Sequence, residues 1–359
     1  MAPRFPAFRS LKTKLLILTS TLSLIPLAGI SAFSYFIGSR QIAEDRIKLS
    51  LEKMAQDTAD KIDLTLTEKK EEIRSMGSTF PLLYPSLDHV DRTALTLLLN
   101  NYCLTHEVYD VLAVVNRAGE IVATNTVDRL GAPLPAAKVA AIEGKKIGAF
   151  PEEAEVFGHS IAARDARHDW YRSKLVEALY DYEGDDNSYR YNIALSLPIT
   201  SPKTREVIGV WINIINWFYF QKILDSVEAD LGSLNMRTGY AFMFKKDADT
   251  IIAHKYRGSP RQPQPVERGR ETARNLYGTF LVRDHDLKDL HDAILRREHS
   301  FAYEFPRGNP KRSGIAPIDD ASFGWIVGVG IDDADIFRPI ARLKWGLLVV
   351  TVLLASLVV

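Results

Sequence analysis

The sequence predicts an α+β protein. A long N-terminal helix carries two tandem antiparallel-sheet modules, and a transmembrane helix flanks them at each end. Three observations carry this expectation: charge-free apolar runs at both ends, a long amphipathic stretch with no Pro or Gly before Gly77, and a repeated order of hairpin, helical insert and paired strands.

The first apolar run is "LLILTSTLSLIPLAGISAFSYFI", Leu15 to Ile37. Roughly 20 apolar residues cross a bilayer as a helix, and Pro26 and Gly29 are tolerated inside such a segment. Arg4, Arg9, Lys12 and Lys14 precede it, which places the N-terminus in the cytoplasm. The alternative is a cleaved signal peptide. The run is longer than an ordinary signal core, and no A-x-A site closes it. The other end, "WGLLVVTVLLASLVV" (Trp345 to Val359), is also free of charge and follows Arg342 and Lys344. It reads as a second span that is cut short, the alternative being a complete apolar tail. With both ends in the membrane, the region between lies outside the cytoplasm, and an output domain beyond Val359 would lie inside. The expected division is cytoplasmic 1–14, first span 15–37, stalk helix 38–78, first module 79–230, second module 231–343 and second span 345–359.

Composition narrows the function. Lys plus Arg and Asp plus Glu both number 45, so the net charge is zero, and a nucleic-acid partner, which needs excess basic charge, is not expected. Cys103 is the single cysteine; it excludes an internal disulfide and reads as a small buried residue. There is no phosphate-binding Gly loop, nucleophile elbow or H-E-x-x-H pattern. His285 and His291 are six apart, off the i,i+4 spacing of a helical metal pair. No enzyme, metal or cofactor is expected.

Between the ends, Ile47, Leu51, Met54, Thr58, Ile62, Leu66, Ile73 and Met76 recur mostly at three- and four-residue steps. That is one face of a helix. Its charged faces suit a solvated or partner-packed stalk and offer a homodimer seam. The first copy of the repeat opens with "VLAVVNRAGEIVATN" (Val111 to Asn125), a hairpin around Arg117-Ala118-Gly119. A helical insert follows, and "ARDARHDWYRSK" (Ala163 to Lys174) reads as the start of a helix within it. The strands Tyr189 to Thr200 and Glu206 to Asn216 close the copy. The second copy repeats the order with Gly239 to Lys255, a helix around "HDLKDLHDAILRREH", and the strands Ser300 to Pro306, Arg312 to Ile318 and Phe323 to Ile331. Each copy should form a sheet of about five strands with helices packed on it.

This order resembles the double Cache sensor regions of bacterial receptors, which carry tandem PAS-like modules. "HDWY" is similar to that family's R-x-W-Y motif, and "LPIT…EVIGVWIN" to its strand pair ending in G-V-x-x-D. "TGYAFMFKKDADTIIAH" and "FGWIVGVGI" are similar to its membrane-proximal module. The resemblance implies an extracytoplasmic small-molecule sensor in the bacterial inner membrane, passing ligand binding to a chemoreceptor, histidine kinase or diguanylate cyclase output. The alternative is a membrane-anchored interaction or scaffold module that binds a periplasmic protein.

The resemblance also implies that the ligand enters the first module, between sheet and helical insert. Trp170 and Tyr171 would grip it with flat apolar bodies and N–H and O–H donors; packing of the helix on the sheet is the plainer role for Trp170. Two departures stand out. His168 occupies the position two before Trp170 where the family's carboxylate-binding Arg falls, with Arg167 one residue earlier. Asn213 stands where the family has an amine-binding Asp. Asn offers a hydrogen bond but no counter-charge. Trp211, Asn213 and Ile215 share one strand face, and Tyr180, Tyr182 and Asp186 fall where further ligand-facing groups are expected. An amino acid, amine, carboxylate or purine-like ligand all remain open.

Overall fold

The computed structural model describes residues 40–338 apart from 88, 164–166, 183–185, 259–275, 306–307 and 321, with isolated positions in the two end segments. At 40–43 and 167–169 the description covers the backbone alone. No helix among the described residues is long and apolar enough to cross a membrane. The two expected spans lie almost wholly outside the described residues.

Helix α1, Arg40–Leu83, is 44 residues long, about 65 Å at 1.5 Å per residue. It runs past Gly77 and ends two residues after Pro81, whose ring and missing N–H disfavour continuation. Leu51, Ala55, Ala59, Ile62, Leu66, Ile73 and Phe80 are buried at helical spacing. Helix α2, Arg92–His106, starts at Asp91, which accepts hydrogen bonds from Thr93 N and Ala94 N. That satisfies two donors a helix start leaves open.

Two five-stranded antiparallel sheets follow, with identical strand order. The first is β2-β1-β5-β4-β3 and the second β7-β6-β10-β9-β8. In the first, β1 is Tyr109–Asn116, β2 Ile121–Thr124, β3 Arg167–Tyr171, β4 Asn192–Thr200 and β5 Val207–Asn216. In the second, β6 is Tyr240–Phe244, β7 Ile251–Ala253, β8 Ser300–Glu304, β9 Pro310–Pro317 and β10 Ile326–Asp332. The inserts are α3 (Ala136–Ala140), α4 (Pro151–Ala163) and α5 (Lys174–Leu179) in the first module, and α7 (Leu281–His285) and α8 (Lys288–Leu295) in the second. Helix α6, Phe218–Ser233, joins the modules.

The central strands of each sheet are buried on both faces. One core runs through both modules and gathers α1 with Leu112, Val114, Trp211 and Ile215 of the first sheet and Val327, Val329 and Ile331 of the second. The opposite faces form separate cores. Val111, Ala113, Ile212 and Ile214 pack with α3–α5, and Tyr240, Phe242, Phe244 and Ile315 with α7 and α8. Strand alternation sorts the residues: successive side chains point to opposite faces.

The expectation of a helix opening within Ala163–Lys174 does not hold. Arg167–Tyr171 form β3 and pair with β4, Trp170 opposite Ile193 and Tyr171 opposite Asn192. Adjacent Trp and Tyr suit a pleated edge, and the backbone groups there complete the sheet. The helix starts only at α5, where the Ser173 hydroxyl accepts from Val176 N at 3.0 Å.

One buried titratable residue should make the second module acid-sensitive. His254 is buried, and its Nδ1 accepts the Tyr256 N–H at 3.0 Å. Burial first, then Lys255, Lys311 and His285, hold its pKa well below the ordinary 6.5. The unfolded chain takes up a proton that the folded chain resists. The stabilisation is therefore complete above 6.5 and is lost as pH falls from there toward the folded value, by up to about 1.4 kcal/mol per pH unit. His254→Phe should flatten this part of the profile. Urea midpoints at neutral and acidic pH compare the two proteins; an unchanged slope in the variant would contradict the assignment.

Candidate functional site

Asp110 organises the first module. The register between β1 and β5 shifts between Tyr109 and Val111. This bulge leaves Asp110 outside the regular alternation, which is how bulges re-aim side chains. The residue is 2 % exposed. Arg129 Nη1 lies 3.1 Å from Oδ1. Oδ2 accepts from Tyr182 Oη at 2.9 Å, Asn192 Nδ2 at 3.0 Å and Asn216 Nδ2 at 2.6 Å. Its carbonyl accepts from Tyr180 Oη at 2.6 Å and Asn125 Nδ2 at 3.0 Å. Asn192 and Asn216 face each other across β4 and β5.

Burial pushes the Asp110 carboxyl above its ordinary range, while Arg129, Asn216, Tyr182 and Asn192 pull the other way. With donors converging on both oxygens, the geometry is that of a carboxylate. Burial and the Asp110 charge hold the Tyr180 and Tyr182 phenols far above their ordinary pKa. Both tyrosines are neutral donors, fixed in place by Asp110.

Their rings stack at 5.6 Å and 12° and form a wall of an open cleft of about 460 Å³. Arg172, Glu177, Asp181 and Arg190 complete the lining. Glu177 pairs with Arg172 and, at 2.9 Å, with Lys174; Asp181 pairs with Lys138 at 2.7 Å. A stacked aromatic wall with charges of both signs at the rim suits a small polar molecule carrying a flat or apolar part.

The corresponding face of the second module is filled from within. Phe242 packs against Gly328 so closely that a Cβ at Gly328 would lie 2.1 Å from its ring. Together with Tyr240, Phe244, Tyr303 and Phe305 it leaves a void of about 20 Å³, room for no more than a water.

Among the residues singled out in the sequence, the structure brings Tyr180 and Tyr182 to the cleft, places Trp170, Asp186, Trp211 and Asn213 outside its lining, and sets Tyr171 on the same insert core as the two tyrosines. Trp211 and Asn213 do share a strand face, but it is the face covered by α1. Trp211 Nε1 donates to Asn213 Oδ1, and the indole packs edge-on to Phe80 and Tyr102. Trp170 belongs to the same continuous core, stacked on Tyr191 at 4.4 Å and beside Trp217. Trp217 in turn meets Trp325 of the second module, so Trp170 lies at the junction. Strand alternation turns Tyr171 the other way, against the core of the insert. Asp186 caps the turn at Ser188 and pairs with Arg257 Nε at 2.9 Å. Arg167 and His168 lie on β3, and their side chains fall outside the described residues. Asp110, Arg129, Asn192 and Asn216 were not singled out. A lone acid within the apolar run "VYDVLAVV" is the signal that marks the first of them.

The repeated sheet order on one shared helix matches solved sensor regions. The fold is that of a double Cache region. The chain is similar to the ligand-binding domain of the Campylobacter jejuni chemoreceptor Tlp3 in complex with L-norvaline, at TM-score 0.55 and 12% identity, covering 84% of this chain and 97% of that one. It is similar to that of the Pseudomonas fluorescens chemoreceptor CtaA with L-isoleucine, at 0.53 and 15%, covering 84% and 98%. The Pseudomonas aeruginosa amino acid chemoreceptor PctC with GABA gives 0.50 and 16%, covering 80% and 100%. All three are ligand-binding domains. No family model matches the sequence, and no curated protein does. Identity this low carries the double Cache fold and leaves the ligand open.

Proposed function

We propose that the chain is the extracytoplasmic small-molecule sensor region of a bacterial transmembrane receptor, with its ligand in the Tyr180–Tyr182 cleft. The observation that carries this reading is a contrast among the described residues: the same fold holds an open polar cleft beside Tyr180 and Tyr182 and a self-filled core around Tyr240, Phe242 and Phe244. Amino acids, amines, carboxylates and purine-like rings are the candidate ligands. The double Cache fold and the apolar ends support a periplasmic location between two membrane spans, and the exposed face of α1 is the proposed homodimer seam.

Ligand contact would reach the second module through the segment that follows the cleft. Asp186 and Asn187 hold Arg257: Asn187 N donates to the Arg257 carbonyl at 2.8 Å, and Arg257 Nη1 also pairs with Asp225 of α6 at 2.8 Å. Binding shifts such a linkage only if the two arrangements differ in ligand affinity.

Thermal unfolding of the full chain in detergent, screened against amino acids, organic acids, amines and purines, tests the reading. At least one class should raise the midpoint in proportion to its concentration. Tyr182→Phe removes the hydroxyl bond to Asp110 and keeps the ring. It frees the ring from the anchor that aims it at the cleft and should weaken that ligand by about fivefold, about 1 kcal/mol of binding energy. A screen without stabilisation, or a ligand indifferent to both Tyr182→Phe and Arg172→Ala, would overturn the site.

A further inference from the structure

One cation of the second module, Lys255, has no carboxylate within ion-pair distance among the described residues. Lys255 follows β7 and is half-buried, with its Nζ 4.3 Å from the Tyr240 ring centroid and 5.3 Å from that of Tyr256. Among the described residues no acceptor takes its protons. On the same ring, 5.0 Å away, lies the ammonium of Lys311. Lys311 is fully buried and has a partner of its own in Asp332, which also accepts from Asn309 Nδ2 at 2.8 Å. Asp332 is therefore committed to Lys311, and two ammonium groups share one aromatic ring.

The position within the sheet is meaningful. Lys311 and Asp332 face each other across β9 and β10 as Asn192 and Asn216 do across β4 and β5. In the first module this end of the sheet holds a carboxylate, Asp110, matched by one guanidinium, Arg129. In the second, the described residues there hold two cations, Lys255 and Lys311, around one paired carboxylate, Asp332. Burial lowers the Lys255 pKa and Lys311 lowers it further; Glu228 and Asp332 act in the opposite direction without reversing the result.

We infer that Lys255, backed by Lys311 and Tyr240, is an anion site of the membrane-proximal module that takes the carboxylate or phosphate group of a small molecule. An oxyanion on the exposed side of Lys255 would accept from its ammonium and relieve the repulsion between the two lysines. The half-exposed Lys255 provides access that the fully buried Lys311 does not.

The test uses the full chain in detergent with sodium phosphate, sodium acetate or sodium chloride at equal ionic strength. Acylation of each lysine by acetic anhydride is followed by peptide mass spectrometry, with the exposed Lys53 as internal reference. Without oxyanion, Lys255 should react faster than its exposure alone suggests. A bound oxyanion restores the charged amine; each unit of pKa regained makes the free amine, and hence acylation, about tenfold slower. Protection should saturate with phosphate or acetate and be absent at Lys53. Whichever of the two saturates at lower concentration identifies the preferred group. In parallel, the oxyanion should raise the unfolding midpoint of the wild type and of Lys255→Arg, which keeps the cation, and not of Lys255→Met. Equal protection by chloride, equal protection at Lys53, or full stabilisation of Lys255→Met would each overturn the assignment. Tyr182→Phe should keep the oxyanion-dependent protection of Lys255 and the oxyanion-dependent rise in midpoint, whatever its own midpoint, so this site and the Tyr180–Tyr182 cleft stand or fall separately.

Discussion

Asp110→Ala is expected to destabilise the protein by about 3–5 kcal/mol, the usual result of removing one partner from a buried ion pair. The substitution strands Arg129 and leaves the donors of Tyr182, Asn192 and Asn216 without their shared acceptor. The effect extends to the cleft, because Tyr182 is held by the carboxylate and Tyr180 by the carbonyl of the same bulged residue. Denaturant midpoints measure the stability loss. A double-mutant cycle with Arg129→Gln separates the pair from the rest: Arg129→Gln should be markedly less costly once Asp110 is gone. Asp110→Asn keeps the volume and most of the acceptor geometry, so its loss should be smaller and come mainly from the unpaired guanidinium. Additive single-mutant effects, or an Asp110→Ala protein as stable as wild type, would remove Asp110 from the centre of the module.

Gly314→Val is the second large effect, and its cause is the opposite one. Gly314 lies on β9 where that strand touches the long helix. A Cβ there would lie 2.3 Å from both the Glu52 nitrogen and the Leu51 carbonyl carbon. Both are backbone atoms of α1, so no rotamer change can relieve the clash. The helix or the strand must move. Overpacking of this kind costs about 3 kcal/mol or more where neighbours cannot yield. Helix α1 also covers the first sheet within the same continuous core, so the disturbance should not stay local. Gly148→Ala is the control: nothing lies within 4 Å of its Cβ position, and a change within about 0.5 kcal/mol is expected. Comparable urea midpoints for Gly314→Val and the control would show that the helix gives way easily.

Much of the architecture was legible in the chain. Periodicity at three- and four-residue steps from Ile47 to Met76 marked α1, because a helix buries a stripe. The hairpin at Arg117-Ala118-Gly119 was legible because its turn requires a residue with positive φ, and Gly119 sits at +79°. The repeated element order conveyed the tandem modules. The site was less legible. Trp211 and Asn213 were correctly grouped on one face, yet alternation alone does not say which face meets α1 and which meets the insert. For Arg167–Tyr171, adjacent aromatics among charges fit a helix or an edge strand equally well. Pairing with β4 decided the matter, and no local pattern contains that partner.

The sequence by itself determined an α+β chain with a long helix, two similar sheets and an uncommitted net charge. Those features depend on local periodicity, turn chemistry and composition, which short windows contain. The tertiary structure alone decided that Asp110, Arg129, Tyr182, Asn192 and Asn216, drawn from positions up to 106 residues apart, converge on one buried carboxylate. It alone decided that one module keeps a cleft while the other fills it with Phe242 and its neighbours. Both outcomes depend on which strands become neighbours and where a single bulge shifts the register, and those are properties of the assembled sheets rather than of any one segment.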